Sequence, residues 1–321
     1  MLWNNKAVLL ILGPLVCCAC SASVQERRTP AGTPEVLAPL SDYRAWLGQA
    51  RGGDKTQRRM LYQELIIDKN PAVYKALAAQ FANEGRPEEG FYRAILEDAD
   101  RADEKHEKVL ALTERLAPAM PKTAQALLSK FPAGTLRVKM MIAPGFFEFR
   151  EFKAIDSFAV GTSFIPDLID DLDMLEAGIV HELFHLLHAE RTGFPTEPRH
   201  LGQHLWVDGL ATFAEQVVFP AAPLETILVQ RDLAQQCLSG KQAFAAQLLP
   251  DFDDEGTETG RFWFNGGGDR RQPVPERAGY CLGFLIAQKL ASDNAIEEMF
   301  AWKWDKAGPL VKKTLEEFAA E

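Results

Sequence analysis

Residues 178–190 read GIVHELFHLLHAE, and how this stretch is read decides the fold. Three histidines and two glutamates stand among apolar residues. His181 and His185 are four apart, which on a helix puts both imidazoles on one face about one turn apart. Two ring nitrogens so placed can share one zinc ion. Glu182 lies beside that face, where its carboxylate can take a proton from a water whose pKa the metal lowers toward neutrality. Leu183, Phe184, Leu186 and Leu187 supply a face to bury. DLDMLEAGIV, residues 171–180, continues the apolar spacing upstream, so the histidines are expected on a packed, rigid helix. The alternative is an amphipathic core helix that merely carries histidine.

A catalytic zinc takes three protein ligands and keeps one position for water. The pattern that continues with Gly and His three and six residues after the second histidine fails, because His188 and Arg191 stand there. His188 lies two turns from His181, too far along the axis to share its ion, and reads as a structural histidine or as one in contact with substrate or with a carboxylate behind the metal. The third ligand must come from elsewhere in the chain.

Working outward, a Pro-rich loop GFPTEPRH (193–200) leads to a second predicted helix, LWVDGLATFAEQVVF (205–219), with further helices to the C-terminus. Upstream, TLRVKMMIAPGFFEFREF (135–152) and AIDSFAVGTSFIPDLI (154–169) mix β-branched and aromatic residues with Gly and Pro breaks, which predicts two or three strands. From residue 40 to about 131 the pattern is helical. It includes EEGFYRAILEDADRADEKHEKVLALTERLA (88–117) and, as a separate segment, KTAQALLSKF (122–131). The acidic run DFDDEGTE (251–258) fails the calcium-loop pattern, which requires Glu where Phe262 stands, and reads as a solvated turn. FNGGGDRRQPVPER (264–277) reads as a solvated loop or as a flap beside a cleft.

HELFH, with 22 residues between His185 and Asp208 in WVDGLATFAEQV, resembles the gluzincin-type zinc metallopeptidases. That group includes aminopeptidase N-like enzymes and several families of exported, predicted zinc proteases of unknown substrate. Its second helix carries a Glu-Gly-hydrophobic-Ala segment whose Glu is the third zinc ligand, with a further Glu seven residues on. Here Asp208, Gly209, Leu210 and Ala211 match the segment and Glu215 the later position. The resemblance therefore implies Asp208 as third ligand, an Asp where the group usually has Glu, with Glu215 in reserve on nearly the same face. Without a metal, Asp208 reads as a helix N-terminal carboxylate and Glu215 as a surface acid.

The same resemblance reaches two further segments. AIDSFAVGTSFIPD occupies the place of the edge strand that pairs with substrate backbone, which implies substrate binding at Gly161, Thr162 and Ser163; the alternative is a plain sheet strand. RAGYCLGFLIAQKL (277–290) is similar to a downstream helix in some of these proteases, and Tyr280 in it is either a donor to the tetrahedral oxyanion or a buried core tyrosine. His204, one turn before Asp208, reads as an oxyanion donor, an alternative ligand or a structural histidine.

With 321 residues, 47% hydrophobic and 25% charged, the chain can bury a sizeable core in one large domain or two moderate ones. A net charge of −10 argues against a sequence-independent grip on nucleic acid and against a surface that clings to anionic lipid. MLWNNKAVLLILGPLVCCACSAS (1–23) carries an apolar run too short to span a bilayer comfortably and reads as an export signal. Ala19 before Cys20 resembles a bacterial lipobox, with Cys17 where Leu is usual, so Cys20 would carry a lipid. Cleavage after Ser21 or Ala22 would instead release a soluble secreted protein. In the body only Cys237 and Cys281 remain, as one disulfide or as two buried thiols.

The expected fold is α+β, mostly helical, with a small mixed sheet packed on the zinc-binding helix and an N-terminal all-helical domain. The expected segments are a leader at 1–20, a flexible tether at 21–38, a helical domain at 39–133 and a zincin-like catalytic domain at 134–321. The expected function is that of an exported, lipid-anchored zinc metallopeptidase acting on peptide or protein, with Zn2+ as cofactor and membrane attachment through the N-terminal lipid only. The alternatives are a catalytically degenerate zincin-fold protein that binds or assembles partners in the envelope, and a helical scaffold without metal.

Overall fold

The computed structural model describes residues 35–83, 87–100, 104–131, 139–143, 149–152, 157–161, 172–193, 198–228, 230, 232–265, 274–275 and 277–321. Cys20, Thr162 and Ser163 lie outside the described residues. Residue contacts divide the chain into two compact units, with the boundary between Leu183 and Phe184.

The first unit holds strand β1 (Glu35–Leu37) and helices α1 (Leu40–Ala50), α2 (Lys55–Tyr62), α3 (Pro71–Asn83), α4 (Glu88–Asp98) and α5 (Glu104–Lys130). A π-helical turn at Gln63–Ile67 extends α2. Strands β2 (Lys139–Ala143), β3 (Phe149–Phe152) and β4 (Ser157–Gly161) follow, and then the start of α6 (Leu172–Thr192). Tyr43, Trp46, Tyr62, Ile66, Tyr74, Phe91 and Ile95 belong to one buried cluster. Its rings keep their polar atoms satisfied: Trp46 Nε1 donates to the Arg58 carbonyl at 3.2 Å, and the Tyr43 hydroxyl meets His106 Nδ1. An unsatisfied polar group there would cost about 1–3 kcal/mol.

Helix α5 shows how burial overrides local propensity. Val109, Thr113, Leu116, Met120, Ala124 and Leu127 are buried at intervals of three or four residues. This stripe runs unbroken past Pro118 and Pro121, so residues 104–130 form one helix rather than two. A mid-helix proline costs about 3 kcal/mol, while each large apolar side chain fully buried returns about 1.5–3 kcal/mol.

The four strands form one sheet in the order β1-β2-β4-β3. β1 and β4 run parallel to β2, and β3 is antiparallel to β4. The α+β expectation is corrected on this point. The fold is mostly helical; the strands span only three to five residues, and the sheet packs with α3 and α5. β1 lies within 21–38, the segment expected to be a tether, and joins that sheet, while the described elements between residues 40 and 130 are helical. The edge-strand expectation for AIDSFAVG is corrected too. Ser157–Val160 is paired with β2 on one side and β3 on the other, so its main-chain groups are already used. Gly161 faces Ala143 of β2.

The second unit contains the rest of α6, then α7 (Leu201–Val218), α8 (Leu224–Ile227), α9 (Leu233–Leu248), α10 (Thr257–Asn265), α11 (Ala278–Ala291), α12 (Ile296–Met299) and α13 (Trp304–Ala320). Helices α7 and α11 touch backbone to backbone. A Cβ added at Gly209 would lie 2.2 Å from the Gly283 carbonyl carbon, and one added at Gly283 would lie 2.4 Å from the Leu205 oxygen. Only glycine on both helices permits this approach. Cys237 of α9 and Cys281 of α11 are joined as a disulfide, which decides between the bridge and the two separate thiols. Helix α13 packs on α7, α9 and α11. Among the described residues no helix is long and apolar enough to cross a membrane.

Candidate metal centre

Helix α6 is held on several sides. Leu175, Ile179, Leu183, Phe184 and Leu187 are fully buried, so the helix cannot rotate without exposing them. Gly193 ends it in a left-handed conformation, φ 65°, and its N–H donates to the Ala189 carbonyl at 2.9 Å. His181 is 8% exposed, and the His185 side chain 13%. Glu182 is half-buried next to His181.

Helix α7 is fixed at its start. Its first amides would be orphan donors, but the Leu201 N–H donates to the Asp254 carbonyl at 3.0 Å and the Gly202 N–H to the Phe252 carbonyl at 2.8 Å. The Gln203 side chain accepts from the Arg199 N–H at 2.7 Å. The Asp254 side chain in turn accepts from the Gly256 N–H at 2.8 Å, just before α10, and from the hydroxyl of Thr259 in its first turn. The acidic run is thus a turn hydrogen-bonded to the first turns of two helices. Asp208 stands in the second turn of α7, inside the helix rather than at its N-terminal end.

The structure brings His181, His185 and Asp208 together: one ligand atom from each lies within 4.8 Å of the other two. His185 Nε2 is 3.4 Å from Asp208 Oδ1. Two atoms each about 2.0–2.1 Å from a tetrahedral zinc stand about 3.3–3.4 Å apart, so this pair already spans one edge of such a site. The donor set, two imidazoles and one carboxylate, is also one that suits a catalytic zinc. Asp208, although one methylene shorter than Glu, reaches the histidines.

The other candidates are placed differently. Glu215 is 2% exposed, so it is buried rather than a surface acid, and it is not part of the trio. His204 also falls outside the trio, with Nδ1 3.6 Å from Asp208 Oδ2 and its side chain 35% exposed. His188 does not reach out to substrate. It is 1% exposed with ring centroids 5.7 Å from Phe184 and 6.0 Å from Phe300. Burial, aided by the nearby His185, pushes its pKa down to about 3. Tyr280 is buried under the Arg277 guanidinium, 4.2 Å from the ring centre, with Phe264 edge-on at 5.1 Å.

Sequence reading passed over Phe264 and Gly260. Phe264 touches both Tyr280 and, at 5.4 Å, His204; Gly260 faces His204, whose Nε2 would stand 3.8 Å from a Cβ there. Their spacing of four on α10 was the available signal, but nothing local says which helix that face meets.

Residues 159–306 match the family described as Predicted Zn-dependent protease (DUF2268). The match takes in all of α6, α7 and α11, and with them the three converging side chains. It supports a zinc-protease family. Neither the curated proteins nor the solved structures provide a match.

Proposed function

We propose that this protein is an exported zinc metallopeptidase, tethered by lipid at Cys20, that hydrolyses peptide bonds with an activated water. The observation that carries the reading is the convergence of His181, His185 and Asp208, two helix neighbours and a distant acid. The match to a family of predicted zinc proteases over the same helices supports it. The Cys237–Cys281 disulfide supports export, because such bridges persist in oxidising compartments.

In this reading His181, His185 and Asp208 Oδ1 hold zinc, which supplies Lewis acidity by lowering the pKa of water and polarising the scissile carbonyl. Glu182 takes the proton from the attacking water. It then delivers that proton to the amine as the C–N bond breaks. Tyr280 donates a hydrogen bond to the oxyanion, with its ring held between Arg277 and Phe264. Burial of the histidines keeps the donors from swinging apart between turnovers.

The test is zinc analysis of the purified full-length protein together with Glu182→Gln and a mixed peptide library. One zinc per chain in both proteins is expected, with cleavage lowered roughly 10²- to 10⁴-fold in the variant. Wild-type protein that holds no zinc, or a variant that cleaves as well as wild type, ends the proposal.

A further inference from the structure

We infer that His204 is a positioning residue that holds the Asp208 carboxylate in its metal-facing orientation. This rests on the zinc reading above and concerns how an aspartate can serve where a longer acid is usual.

The two oxygens of Asp208 face different histidines: Oδ1 lies 3.4 Å from His185 Nε2, and Oδ2 lies 3.6 Å from His204 Nδ1. His204 is not itself one of the converging donors, since among the described residues only His181, His185 and Asp208 fall within 4.8 Å of one another. It stands behind the carboxylate. Because a carboxylate only accepts, the tautomer that fits this pairing carries the proton on Nδ1. A free aspartate could turn about its second side-chain torsion and present either oxygen, or neither, to a metal. An Nδ1–H facing Oδ2 from 3.6 Å favours the rotation that leaves Oδ1 on the metal side.

The imidazole is itself fixed. Four residues separate His204 from Asp208 on α7, so the two side chains stack on one helix face. On its other side the ring lies against Phe264 of α10, 5.4 Å between centroids, and its Nε2 faces Gly260. Helix α10 is tied to the start of α7 through Asp254, whose side chain accepts from the Thr259 hydroxyl of the one and whose carbonyl accepts from the Leu201 N–H of the other. The support of the carboxylate therefore runs through elements that are already locked together. Groups that orient a metal ligand in this way commonly change metal affinity roughly 10- to 100-fold when removed.

Full-length protein carrying His204→Leu or His204→Asn tests the assignment, since the two side chains match in shape and only Asn offers an N–H near the position of Nδ1. Zinc affinity is read by chelator competition, and Co2+ absorption reports ligand geometry independently of activity. H204L should bind zinc roughly 10- to 100-fold more weakly than wild type, with an altered Co2+ spectrum and an unchanged melting temperature of the metal-free protein. H204N should recover to within about threefold of wild type. If H204L lowers the metal-free melting temperature, H204F, which keeps the contact with Phe264, serves as the variant without the N–H. Wild type that takes no zinc refutes the proposed function itself. Wild type that takes zinc, with the donorless variant equal to it or with H204N no better than the donorless variant, overturns the role of His204 alone.

Discussion

Replacing Gly209 by alanine should both destabilise the protein and loosen zinc, although alanine is the better helix former by about 1 kcal/mol. The new Cβ would lie 2.2 Å from the carbonyl carbon of Gly283. Carbon atoms in contact prefer about 3.5–4.0 Å, so α7 and α11 must part by roughly 1.3 Å or more. The obstructing atoms are backbone, and no rotamer change removes them. Overpacking of this kind costs about 1–3 kcal/mol, and the upper end applies here, leaving a net loss of roughly 1–2 kcal/mol after the helix gain. Asp208 is the preceding residue on the displaced helix and should carry zinc affinity down with it. Denaturant unfolding and chelator competition measure the two effects. Gly48→Ala is the control: Gly48 lies in α1 with nothing within 4 Å of a new Cβ, so alanine there should stabilise. A G209A protein that gains stability as G48A does, with zinc affinity intact, would refute the backbone-to-backbone crossing.

Two further predictions concern stability. Replacing Cys237 and Cys281 by alanine opens a bridge with a sequence separation of 44, which on the chain-entropy model lowers unfolding free energy by about 4 kcal/mol. Equal denaturation midpoints for oxidised wild type and the double variant would contradict it. His188 has its pKa depressed to about 3 by burial, against an ordinary value near 6.5. Between those values the unfolded chain binds a proton that the folded protein refuses, so this contribution to stability is complete above about pH 6.5 and is lost toward pH 3. The slope is at most about 1.4 kcal/mol per pH unit. Melting temperature measured from pH 7 to 4 should therefore fall less steeply for His188→Phe than for wild type, and parallel curves would show that His188 is not the group responsible.

Much of the local structure was legible in the chain. Apolar residues at helical spacing predicted the helix over GIVHELFHLLHAE and the helical run before residue 131, because a buried face leaves a periodic trace. The same spacing put His181 and His185 one turn apart. Residues 117 and 122, read as belonging to separate segments, lie in one helix, since the penalty for Pro118 and Pro121 is local while the buried stripe they interrupt is bound by tertiary contacts. The sheet misled in a similar way. β-Branched and aromatic residues between Gly and Pro breaks identified strand-forming segments but not their order, and only pairing shows that Ser157–Val160 lies between two strands.

By itself, then, the sequence determined which side chains are chemically capable and which face each helix must bury; both follow from residue type and period. Tertiary structure decided what those faces meet. Asp208 and Glu215 share one helix face, yet only Asp208 stands 3.4 Å from His185. That choice depends on how far α7 slides along its neighbours before Gly209 meets Gly283. Cys237 finds Cys281 through the same docking of helices, whereas His204 lies beside Asp208 by helical spacing alone. A repeat of 3.6 residues states that a surface will be covered, and packing between elements distant in the chain settles by what.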